Sequence, residues 1–527
     1  MWVAVILVAV SSCLIYFLAK KKYSKSIWEK YGVTQVPGGS IMDQISVFAG
    51  TKTIMDMDNK KYNLLEKISE KYAGFYDLVG PCILVKDLEI LKKVLIKDFD
   101  YFIDRRPFFS GAREPLITKM LFSLFGEEWK GVRTSLTPTF TTGKIRRMME
   151  NFNQVGNAWV KNFDKQIGGG TSTNVNIQTE TIHYTVDIIA ASVFGMNAGT
   201  IHDRNSIFSK MSLQVAELST WRIVKFGLSI NLPWLVELLN LEIIDQQGLE
   251  FFRKVMVQGL NSRMSGEVKR NDFMQLIAEA RKGELKGDDN EDLNQFEKDA
   301  QISGGAGMKK NYLNDDTMAQ AQLIGFFFAG FNTTSNVIAW AAYVLAVHQD
   351  VQEKLREELD TKLFKDGDHN MDYDVLNRLV YMDMFLSEVL RKYPPLGRLE
   401  RKCVKDYHDP ESGLRIPKDA TVIIPVDGIH NDTQYYEHPD KFYPEHFTPE
   451  KKAERNPYTY LPFGVGPRNC IGMRFALVET KSAIAHLVHN FKIEPTKNTP
   501  IPIKQRPVGL GVQIPDNLEL KLTRRNK

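Results

Sequence analysis

Cysteine is scarce in this sequence. The 527 residues contain four, Cys13, Cys82, Cys403 and Cys470, with no C-x-x-C pair among them. Such spacing builds neither a zinc site nor a disulfide framework, and it suits a reducing, cytosol-facing compartment. A surplus of one charge is lacking too: 68 Lys and Arg against 64 Asp and Glu leave +4, and no sustained basic run carries interleaved aromatics. Nucleic acid is therefore not indicated as a partner. No internal repeat is present, so a solenoid is not indicated either.

What the chain does have is apolar bulk, 43% of residues including 30 Phe, enough for a large core. Length alone is a soft prior for three or four domains. Residues 2–19 are apolar except for Ser11 and Ser12 and are followed at once by Lys20, Lys21 and Lys22. As a helix this run spans roughly 27 Å, close to the hydrocarbon thickness of a bilayer. The lysines place its C-terminal side in the cytosol, and the missing basic n-region argues for an uncleaved anchor over a signal peptide. Pro37-Gly38-Gly39 breaks any continuing helix and reads as a hinge.

The most informative stretch is Phe463-Gly464-Val465-Gly466-Pro467-Arg468-Asn469-Cys470-Ile471-Gly472. Its glycines permit tight turns and close approach to a flat group. Beyond Gly472, Phe475, Ala476, Val478, Ile484, Leu487 and Val488 fall at helical spacing, which puts Cys470 just ahead of a helix N-terminus. Orphan N–H groups and the helix dipole there favour the thiolate. A lone thiolate suits the proximal side of a haem iron, where it favours cleavage of the dioxygen bond. Alone, the cysteine reads equally as a buried residue in a Gly-rich turn.

Two further motifs lie upstream. Residues 318–347 read as one long buried helix, apolar nearly all round, with Ala329-Gly330-Phe331-Asn332-Thr333-Thr334 at its middle. The Ala-Gly pair admits a ligand close to the backbone, and the threonines are expected to bond back to carbonyls one turn earlier. Glu388 and Arg391 sit three apart in a helix over 379–392 that Pro394-Pro395 stops, so they share a face.

Together these motifs resemble the cytochrome P450 family. F-x-x-G-x-R-x-C-x-G is its haem-ligand loop, and every fixed position matches. Arg105-Arg106-Pro107, Thr137-Pro138-Thr139-Phe140 and Pro462-Phe463-Gly464 are most similar to the microsomal branch of insect families 9 and 6 and vertebrate family 3. The resemblance implies a mainly α fold with small β-sheets, the cytochrome P450 fold. Haem b would lie between the long distal helix and the helix following the Cys loop. It implies residues 1–22 as a transmembrane anchor, 23–39 as a basic and Pro/Gly hinge, and 40–527 as the catalytic domain. Cys470 would be the iron ligand and Phe463 its neighbour in the loop. Trp129 and Arg133 (a W-x-x-x-R pair), Arg105, Arg401 and Arg468 would reach haem propionates. Ala329 would line the cofactor, and Thr333 with Asn332 would guide proton delivery during dioxygen activation. Phe108, Phe122, Phe328, Ala329, Thr333, Leu396, Leu399 and Val508, the last in a C-terminal hairpin tip, would face substrate. Glu388 and Arg391 would form a buried lock with Pro444-Glu445-His446-Phe447.

The sequence departs from the family's pattern twice. Asn332 stands where an acid is expected and cannot titrate; some reducing equivalents are then expected to leak to peroxide. His446 replaces an arginine, a shorter and conditional cation, so the lock is expected to be slightly weaker.

The remaining expectations are local. Residues 63–72 read as an amphipathic helix and 75–85 as a hairpin turning at Gly80-Pro81. Residues 148–279 read as several helices, and 283–316, with Gly287 and Gly304-Gly305, as a mobile polar loop. Leu232-Pro233-Trp234-Leu235-Val236-Glu237-Leu238-Leu239 is either buried core or a surface dipping into lipid. Lys130, Lys144, Arg146 and Arg147 would present a basic face to an acidic redox partner.

Taken together, the reading is a monooxygenase of lipophilic small molecules in the endoplasmic reticulum membrane, its catalytic domain cytosolic. It would use O2 and NADPH–cytochrome P450 reductase, with cytochrome b5 as an optional second donor. A haem-thiolate isomerase or dehydratase, and a haem sensor or carrier, stand as alternatives.

Overall fold

The helix that organises the molecule begins where Asp315 accepts a hydrogen bond from Met318 N at 3.0 Å, a side-chain cap on otherwise orphan N–H groups. A computed structural model describes residues 10–12, 14–16, 18, 27–48, 51–77, 79–107, 114–216, 220–231, 233–285, 295–302, 311–365, 370–505 and 511–525. Helices predominate. Those that position the site are α1 (Gly126–Leu136), α2 (Met149–Ile167), α3 (Ile177–Ile189), α4 (Asp316–Val347), α5 (Val380–Lys392) and α6 (Met473–Asn490). α4 runs through the largest apolar cluster and is packed by α3, α6 and the helix Gln246–Met264.

Among the described residues nine strands make three small sheets. They are β1 (Tyr72–Tyr76), β2 (Pro81–Val85), β3 (Ser172–Asn176), β4 (Leu399–Lys402), β5 (Tyr407–His408), β6 (Arg415–Ile416), β7 (Thr421–Ile424), β8 (Phe491–Pro495) and β9 (Glu519–Arg524). The sheet orders are β1-β2-β7-β4, β3-β9-β8 and β5-β6. β2 and β7 pair in parallel, Cys82 opposite Thr421; the other pairs are antiparallel. The first sheet carries its own apolar cluster, separate from the helical one. Near the C-terminus, Asn336 of α4 uses both arms of its amide: Nδ2 donates to Val512 O at 2.6 Å, and Oδ1 accepts from Ile514 N at 3.0 Å.

Several sequence expectations are met: the mainly α fold with small sheets, the hairpin closing with Tyr76 opposite Pro81, α4, α5 and α6. Others need correction. The helix expected over 63–72 is Ile54–Lys67, started by a capping box in which Thr53 and Asp56 satisfy each other's backbone N–H; Tyr72 already begins β1. Residues 148–279 hold β3 besides their helices. The stretch 283–316 is not all loop. It contains the helix Gln295–Asp299, docked by Arg474 Nε on Glu297 at 2.6 Å and by Tyr458 Oη donating to Asp299 at 3.0 Å. Pro233–Leu238 is a surface helix: Val236 is buried, while Trp234, Leu238 and neighbouring Leu239 are exposed.

Most of the expected anchor, Leu232, Gly287, Gly304-Gly305, Phe108 and Val508 with its hairpin tip lie outside the described residues. Among the described residues no helix is long and apolar enough to cross a membrane.

Candidate active site

The stretch before α6 is a hairpin pinned from two sides. Cys470 N donates to Phe463 O at 2.9 Å, and Asn469 N donates to Gly466 O at 2.9 Å. Gly464 and Gly466 have φ of +67° and +75°, and a Cβ on Gly466 would stand 2.0 Å from Leu95 O. No other residue type fits there. From α1, Arg133 grips the hairpin's end, donating to Asn469 O at 3.0 Å and to Asn469 Oδ1 at 2.6 Å. Residues 465–469 are buried, yet Cys470 at their end has bare surface. The sulfur therefore faces open space deep within the fold. Burial pushes its thiol up from the usual value, while the Gly472 N–H and the Arg133 and Arg105 guanidiniums pull the other way. A coordinated metal would hold this sulfur as the thiolate, since it deprotonates a thiol outright.

Four buried or half-buried guanidiniums converge on this region: Arg105, Arg133, Arg401 and Arg468. Arg468 donates through Nε to Ile103 O (2.8 Å) and through Nη2 to Leu124 O (2.9 Å), and stands 4.0 Å over the Trp129 ring. Among the described residues its Nη1 has no partner, and neither has Arg401 Nε; Arg401 Nη1 donates to Glu400 O. Arg105 Nη2 donates to Arg468 O at 2.6 Å. Burial, followed by repulsion from Arg105 and Arg401, lowers Arg468 to about 8. Burial first, then Arg105, lowers Arg401. Arg133 is lowered to about 10, chiefly by burial. Asp104, 3.6 Å from Arg468, acts against that repulsion. Guanidinium does not release its proton in proteins, so these shifts measure how much the cluster needs anions. A flat group with two carboxylates and a metal that takes sulfur satisfies both the unpartnered N–H groups and Cys470. Haem fits this donor set.

On α4, Ala329 and Thr333 are exposed in the middle of a helix whose residues 334–346 are all buried. They stand one turn apart, on one bare face. Thr333 Oγ1 donates to Ala329 O at 2.6 Å, the back-bond expected of a mid-helix threonine. Asn332, Phe328, Phe122 and Phe463 are half-buried, the three phenylalanines packed against the helical core. Leu396 is exposed. Leu399, in β4, is buried, with its methyls 3.5 and 3.6 Å from where a Gly464 Cβ would be.

The lock is assembled as its spacing requires. Arg391 donates through Nε and Nη2 to the two oxygens of Glu388, each at 2.7 Å, both side chains fully buried. Arg391 also reaches the carbonyls of His430, Pro439 and Lys441, tying α5 to the approach to the Cys loop. His446 Nδ1 lies 3.2 and 3.3 Å from the Glu388 oxygens, and Nε2 lies 2.6 Å from Glu437 O. Burial raises Glu388, but hydrogen bonds from Arg391 and His446 outweigh it and hold the carboxyl below its ordinary value.

The basic face is less open than its sequence suggests. Lys130 is paired with Asp100 and Glu127, and Arg146 with Asp374. Sequence reasoning also missed a buried charge network beside the arginines. Arg106 pairs with Asp77 (2.7 Å) and Glu400 (3.6 Å), and Arg398 pairs with Asp58 (2.9 Å) and Glu400 (3.1 Å). It braces the chain at Arg105-Arg106 and at Glu400-Arg401. Asp77 and Asp58 are too distant in sequence from Arg106 and Arg398 for any spacing to reveal those pairs.

Comparison with known proteins agrees with this geometry. The cytochrome P450 family model matches residues 47–522. Cytochrome P450 9e2 of Blattella germanica is 35% identical over 478 residues, 88% of this chain and 87% of that one. Cytochrome P450 6k1 of the same species is 33% identical over 452 residues, 84% and 83% of the two chains. Cytochrome P450 6a2 of Drosophila melanogaster is 31% identical over 528 residues, 98% and 99%.

Proposed function

The chain belongs to the cytochrome P450 family and is a haem-dependent monooxygenase; from that premise we propose that it oxygenates a lipophilic small molecule, drawing electrons from NADPH through cytochrome P450 reductase. Haem supplies the dioxygen-binding iron and the one-electron chemistry. The protein does the rest. Cys470 would offer the sulfur ligand, with Phe463 beside it in the loop. Arg105, Arg133, Arg401 and Arg468 would receive the cofactor's carboxylates, Arg468 standing 4.0 Å over the Trp129 ring. Ala329 leaves room against α4. Thr333 holds a proton at Oγ1 on the bare face, and Asn332 contributes an amide where a titrating acid would otherwise stand. Phe122, Phe328 and Leu396 supply apolar wall, so substrate is selected by shape and by exclusion of water. Thr333 at that face favours oxygen activation over an isomerase or a carrier.

Residues 1–22 anchor the protein in the endoplasmic reticulum membrane, with the catalytic domain, 40–527, in the cytosol. Exposed Trp221, Trp234, Leu238 and Leu239 add a second membrane contact. Lys144 and Arg147, for which no ion pair is seen among the described residues, remain for an acidic redox partner, the reductase or cytochrome b5.

The observation that carries this reading is the bare sulfur of Cys470 beside four anion-seeking arginines. The test is the carbon-monoxide difference spectrum of the reduced protein. Wild type is expected to give the thiolate-type band, and Cys470→Ala to lose it together with NADPH-dependent turnover of lipophilic compounds. A Cys470→Ala protein that kept both would overturn the assignment.

A further inference from the structure

The helix Gln295–Asp299 is tied across the hairpin that carries Cys470. Its Glu297 accepts from Arg474 Nε at 2.6 Å, and its Asp299 accepts from Tyr458 Oη at 3.0 Å. Tyr458 stands shortly before the hairpin, and Arg474 lies in the first turn of α6, just after it. The helix therefore joins the hairpin's two flanks. Both members of the ion pair are mostly covered, Arg474 at 20% exposure and Glu297 at 14%. A pair so covered is screened by salt less than an open one and holds its segment more firmly. Lys298, between the two acids, is exposed.

The proposed redox face lies at the same place. Phe140 Cε1 would stand 3.6 Å from a Cβ on Gly472, and the Phe152 and Phe475 ring centroids are 5.3 Å apart. The helix Thr142–Arg147, between those two phenylalanines, is thereby held at the start of α6. It carries Lys144 and Arg147. On the other flank, Lys92 Nζ lies 5.3 Å over the Tyr458 ring. Cations thus border the hairpin from both sides, and two of the chain's own carboxylates are already docked among them. An acidic partner is drawn to such a face by charge complementarity. To use Arg474 and Tyr458 it must displace Glu297 and Asp299, an exchange of like for like whose net gain is small.

We propose that the helix Gln295–Asp299 is a resident competitor on this surface: it occupies the anion-docking site made by Arg474 and Tyr458 beside the Cys hairpin, and an acidic electron donor displaces it in order to dock in full. This rests on the reading of that face as the one that receives the reductase. The occupant weakens the encounter with the donor and touches neither the cofactor arginines nor the bare face of α4. Removing its charges therefore strengthens docking and leaves the chemistry alone.

Two readouts test this on the full-length, haem-loaded protein in phospholipid vesicles with reductase. The first is NADPH oxidation against reductase concentration. Glu297→Gln combined with Asp299→Asn is expected to lower the reductase concentration for half-maximal rate by roughly three- to tenfold, the net worth of one hydrogen bond, with the maximal rate unchanged. Reduction by dithionite, which needs no docking, should match wild type. A charge-matched control, Glu242→Gln combined with Glu267→Gln, alters exposed acids on other elements and is expected to shift the half-maximal concentration by less than about twofold. A double variant that matched wild type, needed more reductase or shifted no further than the control would overturn the proposal. The second readout is hydrogen exchange of the amides of residues 295–299 in wild type. Exchange is expected to quicken when reductase is added; unchanged or slower exchange would overturn the proposal, and this arm stands even if the double variant folds poorly. Were wild type itself to take no electrons from the reductase, the reading of the face would have failed; electron transfer that the double variant left unaltered would sink this proposal alone.

Discussion

Asn332 is half-buried, one position before the threonine on α4's bare face. An amide there can relay a hydrogen bond but cannot deliver a proton of its own. Asn332→Asp is therefore expected to lower the peroxide formed per NADPH, measured with reductase present; an unchanged ratio would reject the idea. Arg401 makes an opposite kind of prediction, because its effect depends on the cofactor. It is buried among like charges, with one N–H unpartnered. Arg401→Ala should stabilise the haem-free protein by about 1–3 kcal/mol by relieving that repulsion, and weaken haem retention by a similar amount through the lost carboxylate partner. Thermal unfolding with and without haem reads both signs. Neither residue's surroundings were legible in the sequence. Arg401 was recognisable within Arg398-Leu399-Glu400-Arg401, but the Asp58 and Asp77 side chains that brace its neighbours come from far along the chain.

At the scale of elements, α5 and the turn Pro444–Phe447 form the lock. The His446 contacts with Glu388, at 3.2 and 3.3 Å, are longer than the 2.7 Å contacts from Arg391. His446→Arg is expected to improve haem retention on heating, followed by loss of haem absorbance with temperature; no gain, or a loss, would argue against it. The hairpin before α6, the start of α4 and the Glu388–Arg391 pair could be read because each is a local signal: fixed glycines, a long apolar run, a three-residue spacing. The helix Ile54–Lys67 was misplaced because its apolar stripe is thin, while its real marker was the Thr53–Asp56 cap. β3 and β9 escaped notice because neither buries enough on its own; each becomes a strand by pairing with the other. The Gly-rich stretch around Cys470 is a local signal, whereas the burial of its sulfur and the Arg133 and Arg105 guanidiniums beside it come from far along the chain.

For the whole molecule, the question is how it meets a membrane. Trp221, Trp234, Leu238 and Leu239 are exposed on consecutive helices, and Lys225 lies 5.9 Å over the Trp221 ring. Aromatic rings flanked by a cation suit an interface between headgroups and acyl chains. Deleting residues 2–22 should leave part of the protein bound to phospholipid vesicles in a flotation assay, and adding Trp221→Ser and Trp234→Ser should release it; complete release on truncation alone would rule the second contact out. The patch over 232–239 was visible as an apolar run, but only the fold decides that Trp234 points outward while Val236 points in. Asn336 bears on how such a chain diversifies. By clasping Val512 and Ile514 it makes the tail a fixed wall of the interior. If the proposed substrate rests against that tail, changes of sequence there would alter which molecule is accepted while α4 stays untouched.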